Sequence, residues 1–284
     1  MAEKKQNEFL YFASRNFKLK LGFFIIAFFA LLMLAGPLLT PYQPRDRVAL
    51  SVGGPSLKHF MGTTSIREDV WSQYVYGIRS TFLIGVLGGT MGTIIGLAVG
   101  FFAGYKGGWI DEGLMMLTSI LMVIPTVAIL IIIAAYLPYR GVVIQSVIIG
   151  CTSWPWVALA VRSQTFSLKA RGFVSLSRIS GVSSFRTIIE EIAPNMASYV
   201  VMIFILLFGG AILYAVALDF IGLGPVKGIS LGLMMQESYQ KNAINLGYWW
   251  WFIPPGATIT LIVSALYFMN TGLDEVFNPK LREL

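Results

Sequence analysis

The sequence predicts an all-α integral membrane protein with six transmembrane helices and a hairpin of short helices between the fourth and fifth. Three observations predict it. Of the 284 residues, 56% are hydrophobic and only 12% are charged, against about a quarter charged in an average soluble domain. Six stretches approach or exceed the roughly 20 apolar residues that cross a hydrocarbon core. Between two of them lies RISGVSSFRTIIEEIAPN, residues 178–195, charged and amphipathic where its neighbours are apolar.

The elements follow in order. Residues 1–20 form a basic leading segment with Lys4, Lys5, Arg15, Lys18 and Lys20. The first span is 21–39. Its apolar run outlasts a signal-peptide core, and LAGPLLTP offers no small-x-small cleavage site, so it is read as a retained span. A polar segment occupies 40–79, outside the membrane on the far side. The membrane core, 80–270, contains spans at 80–104, 114–137, 141–161, 197–223 and 248–270, with the amphipathic loop at 163–196. A tail, 271–284, ends the chain. Lipid offers no partner to bare backbone groups, so the spans are expected to be helices.

Orientation comes from charge. Lys and Arg, including Lys169, Arg171, Arg178 and Arg186, favour the side that holds both termini and the hairpin. The bias places that side in the cytoplasm. The net charge of +7 is scattered along the loops, which argues against nucleic acid.

Smaller features refine the spans. Gly88, Gly92, Gly96, Gly100 and Gly104 recur every fourth residue, a smooth stripe for close helix approach. It serves either packing within the chain or a subunit interface. Pro125, Pro155, Pro254 and Pro255 are expected to interrupt helices. Cys151 is expected to be a small buried hydrophobe. Trp249, Trp250 and Trp251 read as an interfacial aromatic belt, with stacking on sugar rings as the alternative.

Absences narrow the function. There is no phosphate-binding GxxxxGK[ST] loop, no HExxH and no CxxC, and the single histidine is His59. No cofactor or metal is expected on this chain. The one ionisable residue within the predicted spans is Asp219. It either snorkels to interfacial water or serves a gate or substrate contact, with Phe220 and Pro125 as companions on the translocation pathway. A secondary transporter or channel needs coupling groups at the midplane, and these are missing. The energy is therefore expected to arrive through another subunit.

The insert reads as two short helices. Phe173, Leu176 and Ile179 share one apolar face. Gly181 breaks the first helix as a residue tolerant of left-handed backbone, and Ser183 or Ser184 caps the second. Phe185, Ile188, Ile189 and Ile192 follow i, i+3, i+4, i+7, with Arg186, Thr187, Glu190 and Glu191 opposite. Pro194 helps end it. Such a hairpin can lie on the bilayer surface or dock into a partner's groove.

The stretch FVSLSRISGVSSFRTIIEEIAPN, residues 173–195, resembles the cytoplasmic Glu-Ala-Ala loop of ABC importer permeases. Arg178, Gly181, Ser183, Arg186, Ile192, Pro194 and Asn195 match its pattern, while Ser175, Leu176 and Ser177 stand in place of Glu-Ala-Ala. GTTSIREDVWSQYVYGIRS, AGYKGGWIDE, ALDFIGLG and GLDEVFNPKL are similar, in order, to segments of the dipeptide/oligopeptide branch, second-subunit type. Thr64, Arg67 and Glu68 depart from it, and the acidic residue often found at the position of Ala215 is displaced to Asp219.

The resemblance implies a type I importer permease fold in a prokaryotic cell membrane. It implies a heterodimer with a similar permease, two ABC ATPase subunits that hold ATP and Mg, and an extracytoplasmic binding protein. It implies an ATPase-coupling loop comprising Phe173, Leu176, Ser177, Arg178, Ile179, Gly181, Val182, Ser183, Phe185 and Arg186. The branch carries peptides, and some members serve nickel or oligosaccharides. The GTT…EDVWSQ variant looks like members linked to oligosaccharides.

Overall fold

Asn16 opens helix α1 (Phe17–Ala35), where its side-chain oxygen accepts the Leu19 N–H at 2.9 Å. That satisfies one of the donors a helix start leaves bare. The computed structural model describes residues 11–226 and 228–277. Lys4, Lys5 and the tail beyond Phe277 lie outside the described residues. A 3-10 turn over Gly36–Leu38, with Pro37 inside it, closes α1.

Helix α2 (Val70–Lys106) has 37 residues, about 55 Å at 1.5 Å per residue. It therefore overshoots a hydrocarbon core of about 30 Å. The sequence places its start at residue 80, but Asp69 caps it before Val70. One carboxylate oxygen accepts both the N–H and the hydroxyl of Ser72, each at 2.8 Å. Residues 70–79, placed by the sequence in the polar segment, are thus helical.

The third and fourth predicted spans are each broken. Helices α3 (Gly108–Val123) and α4 (Thr126–Tyr136) meet at 83°. Ile124 is extended there, with ψ 126°, because the ring of Pro125 disfavours helical backbone in the residue before it. Helices α5 (Val142–Ser153) and α6 (Pro155–Lys169) meet at 46°. Pro155 takes the first position of α6, where its missing N–H costs nothing. Helix α6 runs past the predicted end at 161, to Lys169.

The hairpin helices α7 (Gly172–Ile179) and α8 (Ser184–Thr187) follow. Then come α9 (Ala197–Phe220), α10 (Leu231–Gln240) and α11 (Trp249–Phe277). Pro254 and Pro255 do not interrupt α11. They sit in its second turn, where few backbone bonds are lost. Helices, with two isolated antiparallel bridges (Arg47–Glu68 and Thr63–Asp69), are the regular structure among the described residues. Among the described residues, four helical segments are long and apolar enough to cross a membrane, and six spans result if each bent pair counts as one.

Helix α2 is the central post, touching α1, α3, α5, α6, α9, α10 and α11. Its glycine stripe is spent within the chain. A Cβ on Gly96 would lie 2.4 Å from Val157, on Gly100 2.7 Å from the Ala158 carbonyl, and on Gly104 2.7 Å from the Arg162 carbonyl. Between lipid-bathed helices, close packing rather than water expulsion drives association, and these glycines let α6 reach the backbone of α2. On the other side, Phe82 and Phe208 meet edge to face at 5.0 Å. Helix α1 lies along α11, tied by Lys18 to Glu275 at 2.5 Å. Cys151 is exposed on α5, because its helix buries the opposite side against α2 and α9, so the expected burial does not occur.

Candidate functional site: the hairpin and its anchors

The hairpin joins the ends of α6 and α9. Helix α7 ends at Ile179 with Ser180 as its C-cap, and Gly181 adopts φ 76°, the left-handed region where a side chain is strained. The Ser183 hydroxyl then accepts the Arg186 N–H at 3.4 Å, capping α8. After Thr187 the backbone widens into a π-turn over Ile188–Ile192, closed by an Ala193 N–H to Ile188 carbonyl bond. Pro194 and Asn195 sit in the last turn before α9.

The expected apolar face is divided. Ile188 and Ile192 are buried, whereas Phe185 and Ile189 are 63% and 50% exposed. Ile188 and Ile192, four residues apart, lie one above the other, and both face inward. Thr187, expected on the polar side, is buried, and its hydroxyl donates to the Ser183 carbonyl at 3.1 Å. The inward residues Val174, Ile188 and Ile192 join one core cluster with Phe101, Tyr105, Val157, Val161 and Met196. The hairpin is thereby packed onto α2, α6 and the start of α9.

Its other side is bare. Phe173, Leu176 and Ile179 are 37%, 66% and 83% exposed, and with Phe185 and Ile189 they give the hairpin an uncovered apolar surface. Ser177 faces inward, its hydroxyl 3.5 Å from that of Thr187. Arg178 and Val182 line a hollow behind the hairpin. Arg186 pairs with Glu190 at 2.8 Å along the helix surface. The sequence brings all ten of these predicted residues into one hairpin, though not onto one face.

The three pathway residues are not brought together with it. Pro125 stands at the 83° bend. The Phe220 ring lies 5.7 Å from that of Tyr239. Asp219 neither snorkels nor meets interfacial water: it is 1% exposed. Its carboxylate accepts from the Gln145 amide at 2.8 Å and from the Ser230 hydroxyl at 2.5 Å. Gln145 was legible as a polar residue inside an apolar run, but nothing in the sequence paired it with Asp219.

The far end of the molecule carries polar anchors that sequence reasoning missed. Arg45 binds both carboxylate oxygens of Glu237, at 2.9 and 2.7 Å, and that bond holds its guanidinium above the usual value. Buried Glu68 accepts from Gln73 at 2.6 Å, and burial pushes its carboxyl up despite Arg45 nearby. His59 contacts Asp69 at 2.8 Å. The Trp250 indole donates to the Thr63 carbonyl at 3.2 Å, and Trp251 is buried, while Trp249 alone is mostly exposed. The tryptophans therefore divide between loop clamp, core and surface rather than forming one belt. Among the described residues no cluster of three or more His, Cys, Asp or Glu side chains could hold a metal.

Two kinds of comparison bear on this arrangement. Residues 96–283 match the family described as binding-protein-dependent transport system inner membrane component. The chain is 30% identical over 264 residues to the dipeptide transport system permease protein DppC of Bacillus subtilis, covering 92% of this chain and 81% of that one. It is 30% identical over 235 residues to the oligopeptide transport system permease protein OppC of Mycobacterium bovis, covering 81% of this chain and 79% of the relative.

Proposed function

This chain belongs to the binding-protein-dependent transport system inner membrane components, and from that premise we propose that it is one permease half of an ATP-driven ABC importer for peptides. The relatives named above carry dipeptide and oligopeptide in their names, which favours a peptide over an oligosaccharide or nickel. A second, similar permease completes the pore, and an extracytoplasmic binding protein delivers the substrate. Two ATPase subunits hold ATP and Mg and perform the hydrolysis.

One observation carries the reading. The hairpin buries Ile188 and Ile192 against the spans while it leaves Phe173, Leu176, Ile179 and Phe185 uncovered. An apolar surface on a rigidly held element suits docking to a partner. Closure of the ATPases would push that surface, and the buried side would pass the movement to the ends of α6 and α9, shifting the pore between its two openings. Gly181 acts as the hinge between the two hairpin helices.

A six-span topology fits the connections. The α3–α4 pair leaves α2 at the hairpin end, where Lys106 bonds Ser184. It returns at the other end, where Arg140 bonds the Gly222 carbonyl at 3.0 Å. Both termini and the hairpin then share the cytoplasmic side, and the Arg45–Glu237 region faces the binding protein. Pro125 and Phe220 border the pathway, and Asp219 acts on it by holding α5, α9 and the loop before α10 in register.

The test is gentle extraction of native membranes followed by capture of this chain. A second permease and the nucleotide-binding subunits should accompany it in fixed ratio, and the reconstituted complex should take up peptide only with ATP. A chain that emerges alone, under conditions that keep a known importer intact, contradicts the reading.

A further inference from the structure

Three cations from three helix ends converge on one hollow behind the hairpin. Lys106 ends α2, Lys169 ends α6, and Arg178 lies in the last turn of α7. With Tyr105, Ser175 and Ser184 they line a cavity of about 270 Å3. Lys106 Nζ donates to Ser184 Oγ at 3.2 Å, and Lys169 Nζ stands 5.7 Å from the centre of the Tyr105 ring.

Among the described residues no carboxylate lines this cavity. Asp111, whose field reaches Lys169, is committed to Arg162 through two bonds of 2.5 Å. Glu190 is committed to Arg186. A cation in the last turn of a helix complements the helix dipole, which explains each of the three singly. It does not explain why side chains from three separate helices share one hydroxyl-lined hollow with no counter-charge in its wall.

Phosphate oxygens are the acceptors that suit this donor set, since Arg, Lys and hydroxyl groups all bond them. We propose that the hollow binds a phosphate group, supplied by a free phosphate ion or by the headgroup of an anionic phospholipid. It lies behind the hairpin, away from the uncovered apolar surface, so a bound phosphate would hold the ends of α2, α6 and α7 together. The inference stands apart from the transport reading, because it concerns the chain alone.

The test uses the full-length chain, purified in a neutral detergent and stripped of lipid. Inorganic phosphate binding is followed by titration calorimetry. Retention of phosphatidylglycerol over phosphatidylcholine is followed by native mass spectrometry. Lys106→Gln, Lys169→Gln and Arg178→Gln should each weaken binding about tenfold, the worth of one bond to a charged group. Lys241→Gln, at the opposite end, should change nothing, and Arg178→Lys, which keeps the charge, should lose less than Arg178→Gln. Binding of inorganic phosphate assigns a free ion, and retention of phosphatidylglycerol without it assigns the lipid. The proposal is overturned if the wild-type chain binds neither. It is equally overturned if the folded Gln variants bind as the wild type does, or if Lys241→Gln weakens binding as much as they do.

Discussion

The Gln145 amide donates to the Asp219 carboxylate at 2.8 Å, joining α5 to α9 across 74 residues of chain. Ser230 completes the shell from the loop before α10. Two glycines make room for it. A Cβ on Gly224 would sit 2.6 Å from an Asp219 carboxylate oxygen, and one on Gly232 2.8 Å from the Asp219 Cβ. Removing one partner of a buried polar pair leaves the other unsatisfied, at a cost of about 1–3 kcal/mol or more for a charge. Gln145→Leu should therefore lower thermal stability in detergent. Gly232→Ala should do so as well, by overpacking worth about 1–3 kcal/mol. Combined with Asp219→Ala, Gly232→Ala should cost less than the sum of the two, because both act on one contact. Additive losses would show that the glycine and the carboxylate act independently.

The α2 stripe predicts a graded series. Gly96→Ala places a Cβ 2.4 Å from Val157, whereas Gly210→Ala and Gly113→Ala meet nothing within 4 Å. The first should destabilise by about 1–3 kcal/mol. The other two should be neutral or slightly stabilising, as alanine favours helix. Melting of the three purified variants, compared with the parent, checks the order.

Glu68 predicts a pH dependence. Burial holds its carboxyl above the usual value, so the folded chain binds that proton more tightly than the unfolded chain does. The contribution is complete below the ordinary carboxylate range and is lost as pH rises through the raised value. Glu68→Gln stays neutral throughout and keeps an acceptor for Gln73. Its melting temperature should gain on the parent as pH rises from the ordinary carboxylate range through the raised value of Glu68. A gap that stays constant across that range would mean Glu68 is not the titrating group.

Gly181 predicts a separation of hydrolysis from uptake. Its φ of 76° costs a residue with a side chain about 1–2 kcal/mol, although nothing lies within 4 Å of a Cβ there. Gly181→Val should therefore distort the turn without filling any space. In the reconstituted complex, ATP hydrolysis should continue while peptide uptake falls, or the ATPases should be lost. Normal uptake with normal complex yield would remove Gly181 from the coupling element.

Much of this was legible along the chain because apolar length announces a span wherever lipid is the solvent. The hairpin was legible for the converse reason, as charge placed between apolar runs. What stayed hidden depended on three-dimensional partners. The start of α2 at Val70 needed the Asp69–Ser72 cap, which a polar stretch disguises. The bend before Pro125 was marked by the proline, but its 83° was not. The split of Phe185 and Ile189 from Ile188 and Ile192 depended on which row of the short helix meets Phe101, Tyr105, Val157 and Val161, which the period alone does not tell. The glycine stripe named a close approach without naming α6 as the partner. Arg45 and Glu237 lie 192 positions apart, and no local pattern links them.

The central claim is that the uncovered face of the hairpin receives the ATPases. Leu176→Asp and Ile179→Asp place a charge on that face at residues 66% and 83% exposed, so the fold should tolerate both. The direct measurement is the amount of ATPase subunit captured with each variant from native membranes, relative to the second permease captured alongside. The account predicts that the permease pair survives while the ATPases are lost. ATPases retained at the parental ratio on both variants would contradict it.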